Sequence, residues 1–263
     1  MTQPPSFAPI LAAESAHFRD VLAGADPGAR VPTCPDWDAT DLLWHLAEVQ
    51  WFWGQIAARD VTPDELEHPA RPQDRGELLA FFDQADADLR SALEALSADE
   101  PRWMWTQDPA LHVAGYLLRR QAHEAAIHRI DAELTAGVAV TDLDPDFAAD
   151  GVEEVVRVMY GREHRALTFT PDAGRIVALV ADDVDQRWLL QLGREGGEVA
   201  GHGTVDDANF RPVETGEPVA TITGNAQDLD RWLWNRPTAR PLRRSGDESV
   251  LAALDEILTE GLQ

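Results

Sequence analysis

The apolar residues of this chain recur at helical spacing up to about residue 136, and beyond that point they follow the shorter period of β-strands. Four segments of the first part carry a single apolar face, which is typical of amphipathic helices; they are residues 6–24, 40–58, 77–97 and 113–136. Asp38 or Thr40 could cap the second segment, and Gly137 ends the fourth. Four helices with connections of medium length predict a four-helix bundle, a fold that builds sites from side chains facing its interior.

The second part predicts a mixture of helices and strands. Residues 146–160 fit one more helix, and the later helical segments NAQDLDRWLWNRP and DESVLAALDEILTEGL begin at Asn225 and Asp247, which are good caps. Four segments rich in β-branched residues predict strands: ALTFTPD, RIVALVA, RWLLQLG and VATITGN. The glycine-rich stretch GREGGEVAGHGTVDDANF is expected to add turns. We therefore predict a helical domain over residues 1–145 and a smaller α+β domain over residues 146–263.

Composition excludes several classes of partner. The formal charge of −25 argues against binding to nucleic acid or to an anionic membrane surface. The single cysteine, Cys34, excludes an internal disulfide framework and fits a reduced, cytoplasmic setting. No apolar run is long enough to span a bilayer, and the first residues lack a basic secretory signal. All 22 basic residues are arginine, which suggests a GC-rich coding background.

Two histidines and one glutamate form a candidate metal site. Glu124 and His128 lie four residues apart on the fourth helical segment, so they can point the same way. His45 lies on the apolar face of the second segment, at helical spacing from Leu42, Val49, Phe52 and Ile56. If the two helices pack together, the three side chains could meet at one inward point. Two histidines and a carboxylate leave an open position on a tetrahedral ion, as in catalytic zinc sites.

The same residues also have a purely structural interpretation. A lone histidine on an apolar face is often a hydrogen-bonded core residue, and Glu/His pairs decorate many solvated helices. His123 lies five residues before His128, about 140° around the helix, so these two histidines cannot easily share an ion. His123 fits better in the apolar row that contains Ile127.

Two motifs together resemble one protein family. The segment P-D-W-x3-D-L-x2-H-L runs from Pro35 to Leu46, and E-x3-H-x2-D runs from Glu124 to Asp131. In this order they are similar to the mycothiol-dependent maleylpyruvate isomerase family, which belongs to the DinB-like metal-binding bundles. The resemblance covers the whole chain: it implies a DinB-like four-helix bundle followed by a C-terminal α/β domain similar to sterol carrier proteins.

The resemblance also implies a chemistry. A divalent metal, usually zinc, would be held by His45, Glu124 and His128, and mycothiol, the low-molecular-weight thiol of actinobacteria, would be the cosubstrate. Coordination would turn the thiol into a thiolate that attacks an electrophilic small molecule. The outcome would be cis–trans isomerisation if the thiol is later expelled, and S-transfer if it stays. Cys34 is not expected to be a nucleophile.

Two further residues have a functional and a structural interpretation each. Asp131 could orient a ligand imidazole, or it could be a surface charge of its helix. Arg236 matches a functional arginine that the family has at the end of a comparable helix, where it could grip a substrate carboxylate through two parallel hydrogen bonds. Alternatively, Arg236 complements the dipole of that helix.

Other functions remain open at this level. The chain could be a non-catalytic protein that binds a small ligand in its second domain, with a structural metal or none. Metal-dependent hydrolysis by bound water is a third option, although no H-E-x-x-H signature is present. The leading expectation is a monomeric or dimeric enzyme acting on a small electrophile.

Overall fold

The computed structural model describes residues 5–161, 165–199, 201 and 203–260. The chain divides between Thr141 and Asp142 into two compact units. In the described part of the chain, no helix is long and apolar enough to cross a membrane.

The first unit consists of the four expected helices. They are α1 (Phe7–Gly24), α2 (Ala39–Arg59), α3 (Arg75–Glu94) and α4 (Ala114–Ala136), with short 3-10 turns at Pro63–Glu65 and Pro109–Leu111. The main contacts pair α2 with α3 and α1 with α4, and α2 also packs against α4. Apolar side chains such as Phe18, Leu42, Leu46 and Phe82 fill the interior of the bundle.

Local sequence signals fix the ends of the two helices that carry the candidate site. The Asp38 side chain accepts hydrogen bonds from the backbone N–H groups of Thr40 and Asp41, and Asp41 accepts one from the backbone of Asp38. This capping box satisfies donors that the first turn of α2 leaves without intrahelical partners. At the other end of the unit, Gly137 adopts a left-handed conformation (φ +67°) that terminates α4. Both ends agree with the sequence prediction.

The second unit is a five-stranded sheet with flanking helices. Its elements are α5 (Pro145–Glu154), which continues as a π-helical turn (Val155–Tyr160), β1 (Leu167–Ala181), β2 (Gln186–Val199), β3 (Gly203–Val213), β4 (Ala220–Gly224), α6 (Ala226–Leu233), β5 (Arg243–Gly246) and α7 (Glu248–Glu260). The strand order is β3-β2-β1-β4-β5. Strands β1 and β4 are parallel, and the other pairs are antiparallel. Helices α6 and α7 pack against the sheet, and α5 packs against α6. The predicted class, a helical bundle followed by an α+β domain, is confirmed.

Two details of the strand prediction are wrong. The segments ALTFTPD and RIVALVA form one long strand, β1, because an irregularity between Pro171 and Ile176 lets the strand bend without ending. The stretch GREGGEVAGHGTVDDANF is not a set of turns, since its described residues lie mostly in the second half of β2 and in β3, paired in antiparallel register. Glycines are typical of turns, but glycines of β2 allow the neighbouring strand β1 to approach closely.

Gly193 illustrates this close approach and can be tested. It pairs with Pro171 at the irregularity of β1, and a Cβ atom added there would overlap the carbonyl oxygen of Thr170 and the ring of Phe169. We expect Gly193→Ala to destabilise the second unit by roughly 1–3 kcal/mol, the usual cost of overpacking, as measured by urea denaturation.

Gly196 on the same strand provides the control. A Cβ atom there would have its nearest neighbour 3.6 Å away, at the carbonyl oxygen of Val205, which is ordinary van der Waals contact. Gly196→Ala should therefore leave the unfolding midpoint nearly unchanged. Equal destabilisation by both substitutions would contradict the assignment of Gly193 to a close strand contact.

Candidate metal centre

The packing of α2 against α4 brings the three candidate ligands together. His45 from α2 meets Glu124 and His128 from α4, and one ligand atom of each lies within 4.8 Å of the others. The Nε2 atoms of His45 and His128 are 3.5 Å and 3.2 Å from the same oxygen, Oε1 of Glu124. The two imidazole rings meet edge to face, with their centroids 4.7 Å apart. No other such cluster of three potential ligands occurs among the described residues.

The spacing of these atoms fits a small divalent cation. Zinc ligands at about 2.0–2.1 Å in tetrahedral geometry lie roughly 3.3 Å from one another, which matches the distances from Glu124 Oε1 to both nitrogens. The centre is shielded on one side and accessible on the other, since the side chain of His128 is 10% exposed and that of His45 is 32% exposed. The donor set and its partial exposure suit an ion that also binds an exogenous ligand.

Asp131 holds the ring of His128. The carboxylate of Asp131 is fully buried, and its Oδ2 lies 3.0 Å from Nδ1 of His128. A hydrogen bond from Nδ1–H to this oxygen makes Nε2 the nitrogen that faces Glu124, where Nε2–H donates to the carboxylate or, once deprotonated, could bind a metal ion. The other oxygen, Oδ1, accepts a hydrogen bond of 2.6 Å from the hydroxyl of Thr33.

The surroundings of His128 favour its protonated form when no ion is bound. Burial by itself lowers the pKa of the imidazole, but hydrogen bonds and charge interactions with Asp131 and Glu124 outweigh burial and raise the pKa of His128 to about 9. A metal cation that bound to this nitrogen would have to displace the proton.

Glu124 is held in its ionised form with its two oxygens in different roles. Burial raises the pKa of this carboxyl, yet hydrogen bonds to His128 and His45 and the nearby charges of His128 and Arg120 bring the pKa well below its usual range. Oε1 faces the two imidazoles, and Oε2 lies 3.1 Å from Nη2 of Arg120. Arg120 is almost fully buried and precedes Glu124 by one helical turn. The carboxylate therefore presents one oxygen to the centre.

The remaining candidates are not among the three side chains that converge here. His123 is buried on α4. Its ring meets that of Phe7 edge to face, with the ring centroids 6.0 Å apart. Cys34 is a half-buried thiol. Arg236 follows α6 in the second unit, where it is half-buried and its Nη1 donates a hydrogen bond of 2.6 Å to the carbonyl oxygen of Trp234.

Three residues of this centre have no assigned role in the sequence prediction. Arg120 could have been found, because it precedes Glu124 by four residues, the spacing of a helical ion pair. Trp37, whose ring lies 4.8 Å from that of His45, belongs to the recognised motif but had no role there. Thr33 offers no local signal, since 98 residues separate it from Asp131.

The raised pKa of His128 predicts a pH-dependent affinity for metal. Below about pH 9 the imidazole of the metal-free protein carries a proton, which an incoming cation must displace. We expect zinc binding at pH 7.5 to release roughly one proton from this site, and the affinity to fall about tenfold per pH unit on acidification. Calorimetric titration in buffers of different ionisation enthalpy measures the number released. Binding without proton release would contradict this account.

Comparison with known proteins agrees with this arrangement. The model of the Mycothiol maleylpyruvate isomerase N-terminal domain matches residues 9–133, and that of the MDMPI C-terminal domain matches residues 146–253. The solved mycothiol-dependent maleylpyruvate isomerase is 15% identical, with a TM-score of 0.61 over 94% of this chain and 97% of that chain. A histidine-to-alanine mutant of that isomerase has the same TM-score and coverage at 14% identity. At these identities the likeness shows a common fold. No curated protein matches the chain.

The two family models together account for nearly all of the chain and for both of its units. The resemblance predicted from the two motifs is thus confirmed: the chain belongs to the mycothiol-dependent maleylpyruvate isomerase family and is an enzyme.

Proposed function

We propose that this enzyme binds a divalent metal, in the first instance zinc, through His45, Glu124 and His128, and uses mycothiol as cosubstrate to attack an electrophilic small molecule. The observation that carries the proposal is the convergence of two imidazole Nε2 atoms on one oxygen of Glu124 within 3.5 Å. Support for mycothiol comes from the family models and from the solved relatives, which are named as mycothiol-dependent.

The residues of the centre have distinct tasks in this proposal. A divalent ion supplies a Lewis acid that favours the thiolate form of a bound thiol. His45 and His128 would hold the ion as neutral donors, and the hydrogen bond from Nδ1–H of His128 to Asp131 would keep Nε2 available as the donor atom. Glu124 provides one anionic oxygen, while Arg120 balances the other. The positive charge that remains at the centre favours an anionic sulfur over a neutral thiol.

The reaction that best fits the family is cis–trans isomerisation of a conjugated acid. The thiolate sulfur adds to one carbon of the C=C bond, and the π electrons move onto the conjugated carbonyl to give an enolate. Rotation about the resulting single bond follows. Return of the electron pair then re-forms the double bond and expels the thiolate, so the thiol is regenerated. If the adduct is instead protonated and released, the same first step ends as S-transfer.

A direct assay separates these outcomes. Purified enzyme is incubated with mycothiol and maleylpyruvate, and in parallel with a panel of enones and epoxides, while product and free thiol are both followed. Isomerisation forms product without net thiol consumption, whereas S-transfer consumes one thiol per product. A protein that catalyses neither reaction with any of these compounds, as expected of a non-catalytic ligand carrier, would overturn the proposal.

Metal content tests the ligand assignment. We expect one divalent ion per chain in the wild-type protein, and loss of most of it in His45→Ala and His128→Ala, because each substitution removes one of three donors. His123→Ala is the matched control: it also removes a histidine from α4, but one that contacts Phe7. Elemental analysis checks this, and full metal retention in both ligand variants would refute the site.

Arg236 is proposed to recognise a carboxylate of the substrate. Its guanidinium has five N–H donors, and the hydrogen bond to the carbonyl oxygen of Trp234 steadies one side of the group. An arginine fork matches the two oxygens of a carboxylate, which the point charge of lysine cannot do. This role fits the anionic substrate class that isomerisation of a conjugated acid requires.

Kinetics of three variants test Arg236. On a carboxylate substrate we expect Arg236→Ala to lower kcat/KM by an amount equivalent to about 2–5 kcal/mol, as for loss of a buried charge-assisted contact, and Arg236→Lys to be impaired as well. Metal content should not change in either variant. Arg243→Ala is the control, since Arg243 is an exposed arginine of the same unit paired with Asp182. Unaltered kcat/KM in Arg236→Ala would reduce Arg236 to a helix-end charge.

A further inference from the structure

The loop that precedes α2 is closed on itself by backbone hydrogen bonds. An isolated β-bridge joins Arg30 to Asp38, and the N–H of Val31 donates to the carbonyl oxygen of Trp37 at 3.1 Å. Inside this closure, the N–H of Trp37 donates to the carbonyl oxygen of Cys34 at 2.9 Å. Val31 is fully buried in the bundle core, which anchors the loop to the helices. Residues 31–37 thus form a compact unit with little backbone freedom. We call this segment the ligand loop.

The ligand loop contacts both histidines of the metal centre through different side chains. Thr33 donates its hydroxyl to Oδ1 of Asp131 at 2.6 Å, and the other oxygen of Asp131 holds Nδ1 of His128 at 3.0 Å. Trp37 lies against His45, with ring centroids 4.8 Å apart and an angle of 42° between the planes. One short loop therefore reaches a ligand on α2 and, through Asp131, a ligand on α4.

The contact between Thr33 and Asp131 matters because the carboxylate is fully buried. A buried carboxylate is costly unless its oxygens accept hydrogen bonds, and its orientation follows the donors that it finds. With Oδ1 fixed by Thr33, rotation of the carboxylate is restricted, so Oδ2 stays in line with Nδ1 of His128. Without the hydroxyl the carboxylate can turn, and the His128 ring loses part of its orientation toward the centre.

We propose that the ligand loop is a clamp on both histidine ligands and that Thr33 is a positioning residue which, by fixing Asp131, sets the affinity of the centre for a divalent ion. This inference rests on the metal site of the proposed function. It adds a residue outside the proposed set of metal ligands, together with a physical route by which the loop acts.

The test compares zinc affinity in three single variants by competition with a chromophoric chelator. Thr33→Val, which keeps the shape and removes the hydroxyl, should weaken zinc binding about tenfold or more, as losses around metal ligands typically do. Thr33→Ser keeps the hydroxyl and should stay within about threefold of wild type. Thr40→Val is the matched control, since it removes a hydroxyl that donates to the carbonyl oxygen of Pro27 at 3.0 Å at the nearby start of α2; its zinc affinity should not change.

A double-mutant comparison shows whether Thr33 acts through Asp131. Asp131→Asn should weaken zinc binding by itself, and adding Thr33→Val to it should cause little further loss, because the oriented carboxylate is already gone. Equal losses from Thr33→Val in both backgrounds would overturn the route through Asp131. The absorption spectrum of the cobalt-loaded protein gives a second readout, and it should differ between wild type and Thr33→Val but not between wild type and Thr40→Val.

The outcomes separate the two proposals. If wild-type protein binds no zinc or cobalt, the metal site itself is refuted. If the wild type binds and Thr33→Val binds equally well, the clamp alone is refuted. Should Thr33→Val fail to fold, Trp37→Leu tests the clamp from its other contact: a normal zinc affinity in that variant would also contradict it.

Discussion

The buried carboxylate of Asp131 is the group on which the organisation of the centre depends. It has no exposure to solvent, so its charge must be compensated by donors within the protein. His128 and Thr33 provide such donors from α4 and from the loop before α2. Compensating this one charge couples the tautomer and orientation of His128, a proposed metal ligand, to a loop that is distant in sequence. The hydrogen bonds that offset the cost of burying Asp131 also fix the orientation of the His128 ring.

Helix α4 can serve this purpose because its position is fixed on more than one side. Arg129, next to His128 in sequence, is almost fully buried, and its guanidinium bonds to Glu14 of α1 at 2.7 Å and to Glu133 at 2.6 Å. The same guanidinium donates to the carbonyl oxygen of Thr141 at 2.8 Å. These contacts tie α4 to α1 and to the end of the bundle. Consecutive residues lie about 100° apart on a helix. His128 can therefore face the centre while Arg129 holds the helix in place.

The sequence predicts the helices well and the sheet less well, for physical reasons. The capping box at Asp38, the glycine at position 137 and the one-sided apolar faces are local signals, and each corresponds to an observed helix end or core face. The glycines of residues 193–210 predict turns, but the described residues of this stretch lie mostly in the second half of β2 and in β3. In the structure, the missing side chain of Gly193 instead leaves room for the neighbouring strand β1. Such a requirement depends on the partner strand and is invisible in the segment itself.

The candidate site shows the same division between local and distant information. Helical spacing put Glu124 and His128 on one face, and the apolar stripe of α2 pointed His45 inward; both features depend on a few neighbouring residues. The contact of Thr33 with Asp131 depends on how a loop returns over α4, and no spacing rule encodes that path. The motif that contains Trp37 indicates a family but not the contact of the Trp37 ring with that of His45.

The strong negative charge of the chain constrains how an anionic substrate can be recognised. A formal charge of −25 repels a carboxylate at long range, although at physiological ionic strength screening limits this repulsion to distances of about 8 Å. Binding must therefore depend on short-range positive groups that are not fully neutralised by carboxylates. At the proposed centre a divalent cation and the guanidinium of Arg120 would together outweigh the carboxylates of Glu124 and Asp131. The acidic surface and the cationic centre are compatible because one acts through the solvent and the other across a few ångströms of partly buried protein.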